Sequence, residues 1–208
     1  MPRLRVFASI ATCALVAPVL GCGSSSSSKS STPSSSPAGS SAPGASALSA
    51  DAKSAATGDI PDNQVFLSFA DTAGGYSIKY PEGWTQSGAG ADIAFRDKNN
   101  VVHVLVSRGA RAPSSSSVTS QLQALKRSSP TLTFSVAQSV QLPGGRAIKA
   151  TYATQSAPDP VTGKRVLLIV DRYELAGPGR VATVDLGTPR GVDNVDAYRK
   201  MIESFHWR

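Results

Sequence analysis

Both cysteines of this chain, Cys13 and Cys22, fall within its first 22 residues. Everything that follows must therefore fold without a disulfide, a thiolate metal site or a cysteine nucleophile. A body limited in this way is held together by its hydrophobic core alone. From Gly58 to Arg208 there is enough chain for that, because a domain of about 150 residues buries roughly 68–70% of its unfolded surface.

The first residues have a different purpose. Arg3 and Arg5 precede an uncharged, largely apolar run from Val6 to Leu20, which has signal-peptide length and is short for a bilayer span. Residues 1–21 are expected to be a signal peptide, and Cys13 leaves with it. The sequence Val19-Leu20-Gly21-Cys22 resembles the bacterial lipobox, with Leu20 bulkier than the usual residue. That resemblance implies cleavage before Cys22 and a lipoprotein carrying acyl chains such as palmitate on its thiol. Two or more chains make a stable anchor where one is marginal. The expected location is the outer, extracytoplasmic face of the bacterial cytoplasmic membrane.

Residues 22–57 carry the lipid-bearing cysteine and then Ser, Ala, Pro and Gly, with Leu48 the one large apolar side chain from Gly23 to Thr57. Such a composition does not offset the entropy of ordering, so a disordered linker is expected. A Gly/Ser-type coil of roughly 35 residues has an r.m.s. span of about 30–35 Å. The third segment, residues 58–208, is the expected globular domain.

The net charge of the whole chain is +7, but residues 58–208 hold 17 basic and 13 acidic side chains. A surplus of that size does not argue for nucleic acid, and export argues against it. It is compatible with an anionic envelope polymer or with lipid headgroups.

Alternating segments dominate the domain. Strands are expected over Gly75–Tyr80, Ile93–Arg96, Val101–Arg108, Phe134–Leu142, Val166–Leu175 and Val181–Leu186. The tetrapeptide Asp97-Lys98-Asn99-Asn100 reads as a turn with left-handed asparagine. Pro143-Gly144 suits the centre of a type II turn. Val166–Leu175 is apolar on both faces at its start, as a covered central strand should be. Helical spacing appears at Val118, Leu122 and Leu125, with Ser117 the expected N-cap. It returns at Val195, Tyr198, Met201, Ile202 and Phe205, on a helix expected to start near Val192 with Asp193 and Asp196 facing its dipole. One antiparallel sheet covered by helices is an α+β domain.

Three stretches resemble the PsbP-like family, which includes the extrinsic subunit of the photosystem II oxygen-evolving complex and bacterial lipoproteins. They are Gly75-Tyr76-Ser77-Ile78-Lys79-Tyr80-Pro81-Glu82-Gly83-Trp84, Pro158-Asp159-Pro160-Val161-Thr162-Gly163-Lys164 and Ser204-Phe205-His206-Trp207. The resemblance covers Val65 to Trp207. It implies an α-β-α sandwich around one twisted antiparallel sheet, in proteins that mostly act as binding or assembly modules. It transfers no functional residue. In the first motif, Pro81 fixes φ, Gly83 permits the turn, and Tyr76, Tyr80 and Trp84 read as core aromatics.

Signals for catalysis are sparse. His103 lies among valines and His206 at the C-terminus, and neither has metal-ligand spacing. Asp193-Asn194-Val195-Asp196 offers oxygen ligands, but aspartates at a helix start ordinarily serve capping. No Gly-x-Ser-x-Gly elbow or phosphate-loop spacing occurs. No catalytic residue, metal or cofactor is therefore expected. Candidate partner-binding residues are the cations Arg108, Arg111, Lys126 and Arg127 and the loop residues Asp159, Thr162 and Lys164.

The expectation is a lipid-anchored extracytoplasmic binding or assembly module without catalytic activity. Its partners would be the membrane, through Cys22, and an envelope protein or anionic polymer, with no nucleic acid. One alternative is a carrier of a small apolar ligand, which requires a sizeable cavity between sheet and helices. The other is an envelope hydrolase, which requires a deep pocket bringing His103 to a carboxylate and a hydroxyl.

Overall fold

The computed structural model describes residues 57–159 and 161–208. The expected signal peptide, Cys22 and all of the linker but its last residue lie outside the described residues. Strands β1 (Phe66–Asp71) and β2 (Tyr76–Pro81) form a hairpin that β11 (His206–Trp207) extends into a three-stranded sheet. The larger sheet is built from β3 (Thr85–Ala89), β4 (Asp92–Asp97), β5 (Asn100–Arg108), β6 (Thr133–Phe134), β7 (Gln138–Leu142), β8 (Gly145–Gln155), β9 (Leu167–Gly177) and β10 (Arg180–Pro189). Its spatial order is β3-β4-β5-β10-β9-β8-β6, with β7 also paired to β8. Every recorded pairing is antiparallel. Helix α1 (Ser115–Ser128) follows β5, and α2 (Val195–Glu203) follows β10.

The class is α+β, as expected, but there are two sheets where one was expected. The reason lies in the segments that alternation alone did not reveal. β1, β3 and the two-residue β11 carry few buried side chains, and β3 is exposed along its whole length.

Period-two alternation sorts the core into two clusters on opposite faces of the larger sheet. Phe95, Val102, Val104, Ala182, Val184, Leu186, Tyr173 and Leu175 point to the face covered by α2 and the small sheet. Ile148, Ala150, Tyr152, Leu168 and Val170 point to the face covered by Val118 and Leu122 of α1. β9 feeds both clusters and is laddered on both sides, so the central covered position expected for it holds. Tyr76, Tyr80 and Trp84 pack in or against the first cluster, and the Tyr80 and Phe95 rings stack at 4.0 Å.

Local chemistry corrects five boundaries. The left-handed residue of the 97–100 turn is Lys98, at φ 51°, and Asn100 is instead buried. At the β7–β8 turn the positive φ belongs to Gly145, and Gly144 stays outside the left-handed region, so Pro143-Gly144 is not a type II pair. Gly144 is needed there because a Cβ would run into the Phe205 carbonyl oxygen.

The expected strand Phe134–Leu142 is broken. Phe134 pairs Tyr152 and Gln138 pairs Lys149, so four steps on one chain answer three on β8. The extra residue is a bulge, and it reverses which face the following side chains take. Phe134 therefore joins the α1 cluster, Val140 and Leu142 join the α2 cluster, and Val136 is left 86% exposed.

The cap of α1 is Ser114, not Ser117: its Oγ accepts the Ser117 amide at 3.1 Å, while Ser117 Oγ accepts the Ser114 amide at 2.9 Å. Serine at both ends of a reciprocal box explains the shift of one turn. α2 starts at Val195 rather than near Val192, because Asn194 turns its side chain inward. Its amide donates to Gly58 O, Asn100 Oδ1 and Thr188 Oγ1, and its Oδ1 accepts the Ile60 amide at 2.8 Å. Of the expected stripe, Tyr198, Met201 and Ile202 are buried, Phe205 lies beyond the helix end, and Val195 is 67% exposed.

Candidate binding cleft

Where α2 crosses the larger sheet it does not close against β7, β8 and β9. A cleft of about 540 Å³ remains between them. That volume is within the range of small-molecule sites. Its sheet wall is built from odd-numbered residues of β8 and β9 and even-numbered ones of β7 and β10, which the pleat and the register place on one side. Val140, Leu142, Ile169 and Leu186 make this wall apolar, and Val195, Tyr198 and Ile202 of α2 face them. Val195 is an apolar side chain left largely in water at the cleft's edge.

One ion pair stands in the wall. Lys149 Nζ lies 2.8 Å from Asp171 Oδ2, Thr151 Oγ1 donates to Asp171 Oδ1 at 2.6 Å, and the ammonium sits 5.3 Å from the Tyr173 ring centre. Burial pulls the Lys149 ammonium toward its neutral form, but the bond and charge of Asp171 outweigh this and its pKa moves up. The lysine is therefore a fixed cation, not a proton carrier. Tyr173 moves up as well, chiefly through burial. Tyr198 anchors the back of the helix by donating to Gly187 O at 2.5 Å, and burial pushes its hydroxyl far above the usual range. Such a site can bind an apolar body and orient a polar end, and the Lys149 and Asp171 of its sheet wall are engaged with each other.

The expected site residues are placed elsewhere. Arg108 is exposed at the end of β5 and donates to Ala73 O at 2.5 Å. Arg111 lies before α1 and lines a second cavity on the other face of the sheet. Lys126 and Arg127 occupy the last turn of α1. A helix of 14 residues is roughly 21 Å long, so Lys126 and Arg127 in its last turn stand a helix length from Arg111, which precedes its first. Asp159 Oδ1 accepts from the amides of Val161 and Thr162 and from Thr162 Oγ1, at 3.1, 2.7 and 2.9 Å. Those bonds, led by the Thr162 amide, hold the Asp159 carboxyl below its usual pKa. Thr162 in turn receives the Lys164 amide at 3.4 Å. These three residues form a self-contained exposed turn.

His103 Nε2 pairs with Asp92 Oδ1 at 2.7 Å, with the two side chains 33% and 67% exposed, and neither residue lines either cavity. Neither of these two cavities brings His103 to a carboxylate and a hydroxyl. The Asp193–Asp196 stretch is likewise spoken for locally. Asn194 is buried in its amide network, Asp193 Oδ1 accepts the Val195 amide at 3.3 Å, and Asp196 pairs with Arg199 at 2.6 Å. Among the described residues, no group of three or more His, Cys, Asp or Glu side chains is placed to hold a metal ion.

The cleft residues Lys149, Asp171, Tyr173 and Val195 escaped the sequence reading as a site. A faint signal existed: Lys149, Thr151 and Asp171 put polar groups on the same face of neighbouring strands, and Val195 lies one turn ahead of the buried stripe.

Comparison with known proteins supplies the kinship. Residues 64–137 match the PsbP family model. The PsbP domain-containing protein 1, chloroplastic, of Arabidopsis thaliana is 51% identical over 57 residues, which are 27% of this chain and 20% of that protein. The chain thus spans about a fifth of that relative's length. Among solved structures, cyanobacterial PsbP (CyanoP) from Synechocystis is 19% identical with a TM-score of 0.48, covering 73% of this chain and 98% of its own. The Ran-binding protein Mog1p of Saccharomyces cerevisiae is 11% identical with a TM-score of 0.45, covering 70% and 96%. The match over residues 64–137 contains the Gly75–Trp84 motif, and the motifs at 158–164 and 204–207 lie beyond it. The family model and the 51% identical relative together show that this chain is similar to the PsbP-like family over part of its length, as the Gly75–Trp84 motif led one to expect.

Proposed function

We propose that this protein is a non-catalytic binding module, tethered by lipid on Cys22 to the outer face of the bacterial cytoplasmic membrane, and that it binds through the cleft between α2 and the larger sheet. The observation that carries the binding reading is the cleft itself: about 540 Å³, with aliphatic side chains in its wall and the Lys149–Asp171 pair among them. In this reading α1, the larger sheet and α2 are the three layers of an α-β-α sandwich, and the site lies at one of its seams. The occupant is a small apolar molecule with one polar end, the end meeting the Lys149–Asp171 pair. The carrier alternative thereby becomes the specific form of the binding function. An envelope protein or anionic polymer would meet the protein elsewhere, at the cations Arg108, Arg111, Lys126 and Arg127 or at the Asp159–Lys164 turn.

Two experiments test this. Titration of the neutral dye N-phenyl-1-naphthylamine into the protein should give saturable fluorescence enhancement that Val195→Glu and Val140→Asp abolish. Enhancement of equal affinity in both variants would remove the cleft from the proposal. For the anchor, Cys22→Ala should move the protein from the membrane fraction to the soluble one, and continued membrane retention would refute lipidation at that residue.

A further inference from the structure

The opposite face of the larger sheet holds a cavity of about 610 Å³, between the first turns of α1 and the strands β5, β9 and β10. Ser107, Ser120, Gln121 and Thr183 line it, Leu105 and Val181 give it an apolar wall, and Arg111 stands among its lining residues. Its unusual member is Glu174. The residue is 2% exposed, and its Oε1 is buried with no hydrogen-bond partner. Gln121 and Thr183 lie close enough to the carboxyl group to favour its charged form, yet burial prevails and pushes its pKa above the ordinary glutamate range.

The cation of its own strand does not neutralise it. Arg172, two residues back on the same face, is committed to Asp185, with Nε–Oδ1 at 2.8 Å and Nη2–Oδ2 at 2.7 Å. Asp185 also accepts from the Tyr152 hydroxyl at 3.2 Å. An unbonded buried acceptor is a liability that a leucine at this position would not carry. Its place in a cavity wall gives it a use.

We propose that this cavity is a second binding site, for a small uncharged hydroxyl-rich molecule of the sugar class, anchored by a ligand hydroxyl on Glu174. A hydroxyl fits this anchor in either ionisation state, because it donates to a carboxylate and accepts from a carboxylic acid. An ammonium fits only the ionised form. Arg111 and Glu174 are the two charged residues of the lining, and the rest of it is uncharged. Serine and threonine hydroxyls and the Gln121 amide supply both donors and acceptors for the remaining ligand hydroxyls, and Leu105 and Val181 meet its C–H face.

The test is isothermal titration of the full chain in a sugar-free detergent with maltose, with N,N′-diacetylchitobiose and, separately, with the diamine putrescine. Saturable binding of at least one sugar is expected. Glu174→Leu should weaken it about tenfold or more, since a hydrogen bond to a buried carboxyl is lost. Thr183→Val, milder for the fold, should weaken it in the same direction, and near-ultraviolet circular dichroism checks that each variant is native. Val195→Glu, in the other cleft, should leave sugar affinity unchanged. Binding of neither sugar, equal affinity in natively folded variants at 174 and 183, or binding of putrescine alone would overturn the proposal.

Discussion

Arg172 and Glu174 occupy adjacent positions on one face of β9, and the sheet treats them oppositely. Arg172 forms a two-pronged pair with Asp185, both side chains close to nine-tenths buried. The pair and the charge of Asp185 outweigh the burial that would neutralise the guanidinium and drive its pKa upward. Replacing Arg172 by Met leaves Asp185 buried without its partner, and urea unfolding should register a loss of about 3–5 kcal/mol. Glu174 has no such partner, and its carboxyl pKa is raised by burial. With the folded pKa above the unfolded one, the native state keeps a proton that the unfolded chain has already released, so stability falls as pH rises from one value toward the other. Glu174→Gln removes that loss. Melting temperatures of the two proteins, measured from about pH 4 to about pH 7, should diverge in favour of the variant as pH rises. A pH-independent difference would mean that Glu174 titrates normally.

At the scale of elements, the decisive features are one cap and one inserted residue. Ser114→Ala should cost about 1 kcal/mol in thermal unfolding, because it removes the acceptor for the Ser117 amide. The insertion between Phe134 and Gln138 is more consequential. Val136 is 86% exposed, so Val136→Ala should change stability by less than about 0.5 kcal/mol. Deleting Val136 restores equal spacing with β8 and turns either Phe134 or Val140 and Leu142 to the wrong face. Denaturant midpoints should therefore separate the deletion sharply from the substitution. These two cases also mark what is legible in a sequence. Alternation in Tyr76–Tyr80, Val101–Arg108 and Val166–Leu175 reports burial directly, and those strands lie where the pattern puts them. The bulge carries no glycine or proline to announce it, and a four-serine run offers several equivalent caps, so both are decided by tertiary pairing. Glu174 is one of three charged residues of β9, with Asp171 and Arg172, and nothing in the sequence separates it from the two that find partners.

For the molecule as a whole, the Asn194 network is the point where distant segments meet. It joins residues 58 and 60 at the start of the domain to Asn100, Thr188 and the head of α2. Asn194→Ala should free the Ile60 amide and speed its hydrogen exchange, while amides in the middle of β9 stay protected. This hub sits beside the cleft, since Asn194 and Thr188 both line it, so residues 58 and 60 are tied to the frame of the cleft. The larger sheet has one of these two cavities on each face, the more apolar one under α2 and the more polar one under α1. The site residues were less legible than the fold because they are contributed one or two at a time by β7, β8, β9, β10 and α2, a convergence that only the register of the sheet creates.

The binding role of the α2 cleft is tested most directly by photo-crosslinking in living cells, with benzoylphenylalanine placed in turn at Val195 and at Val136. Both valines are exposed, at 67% and 86%, but only Val195 borders the cleft. Mass spectrometry of the purified protein should find a defined apolar adduct at position 195 and none at position 136. The same adduct at both positions, or none at 195, would contradict the account.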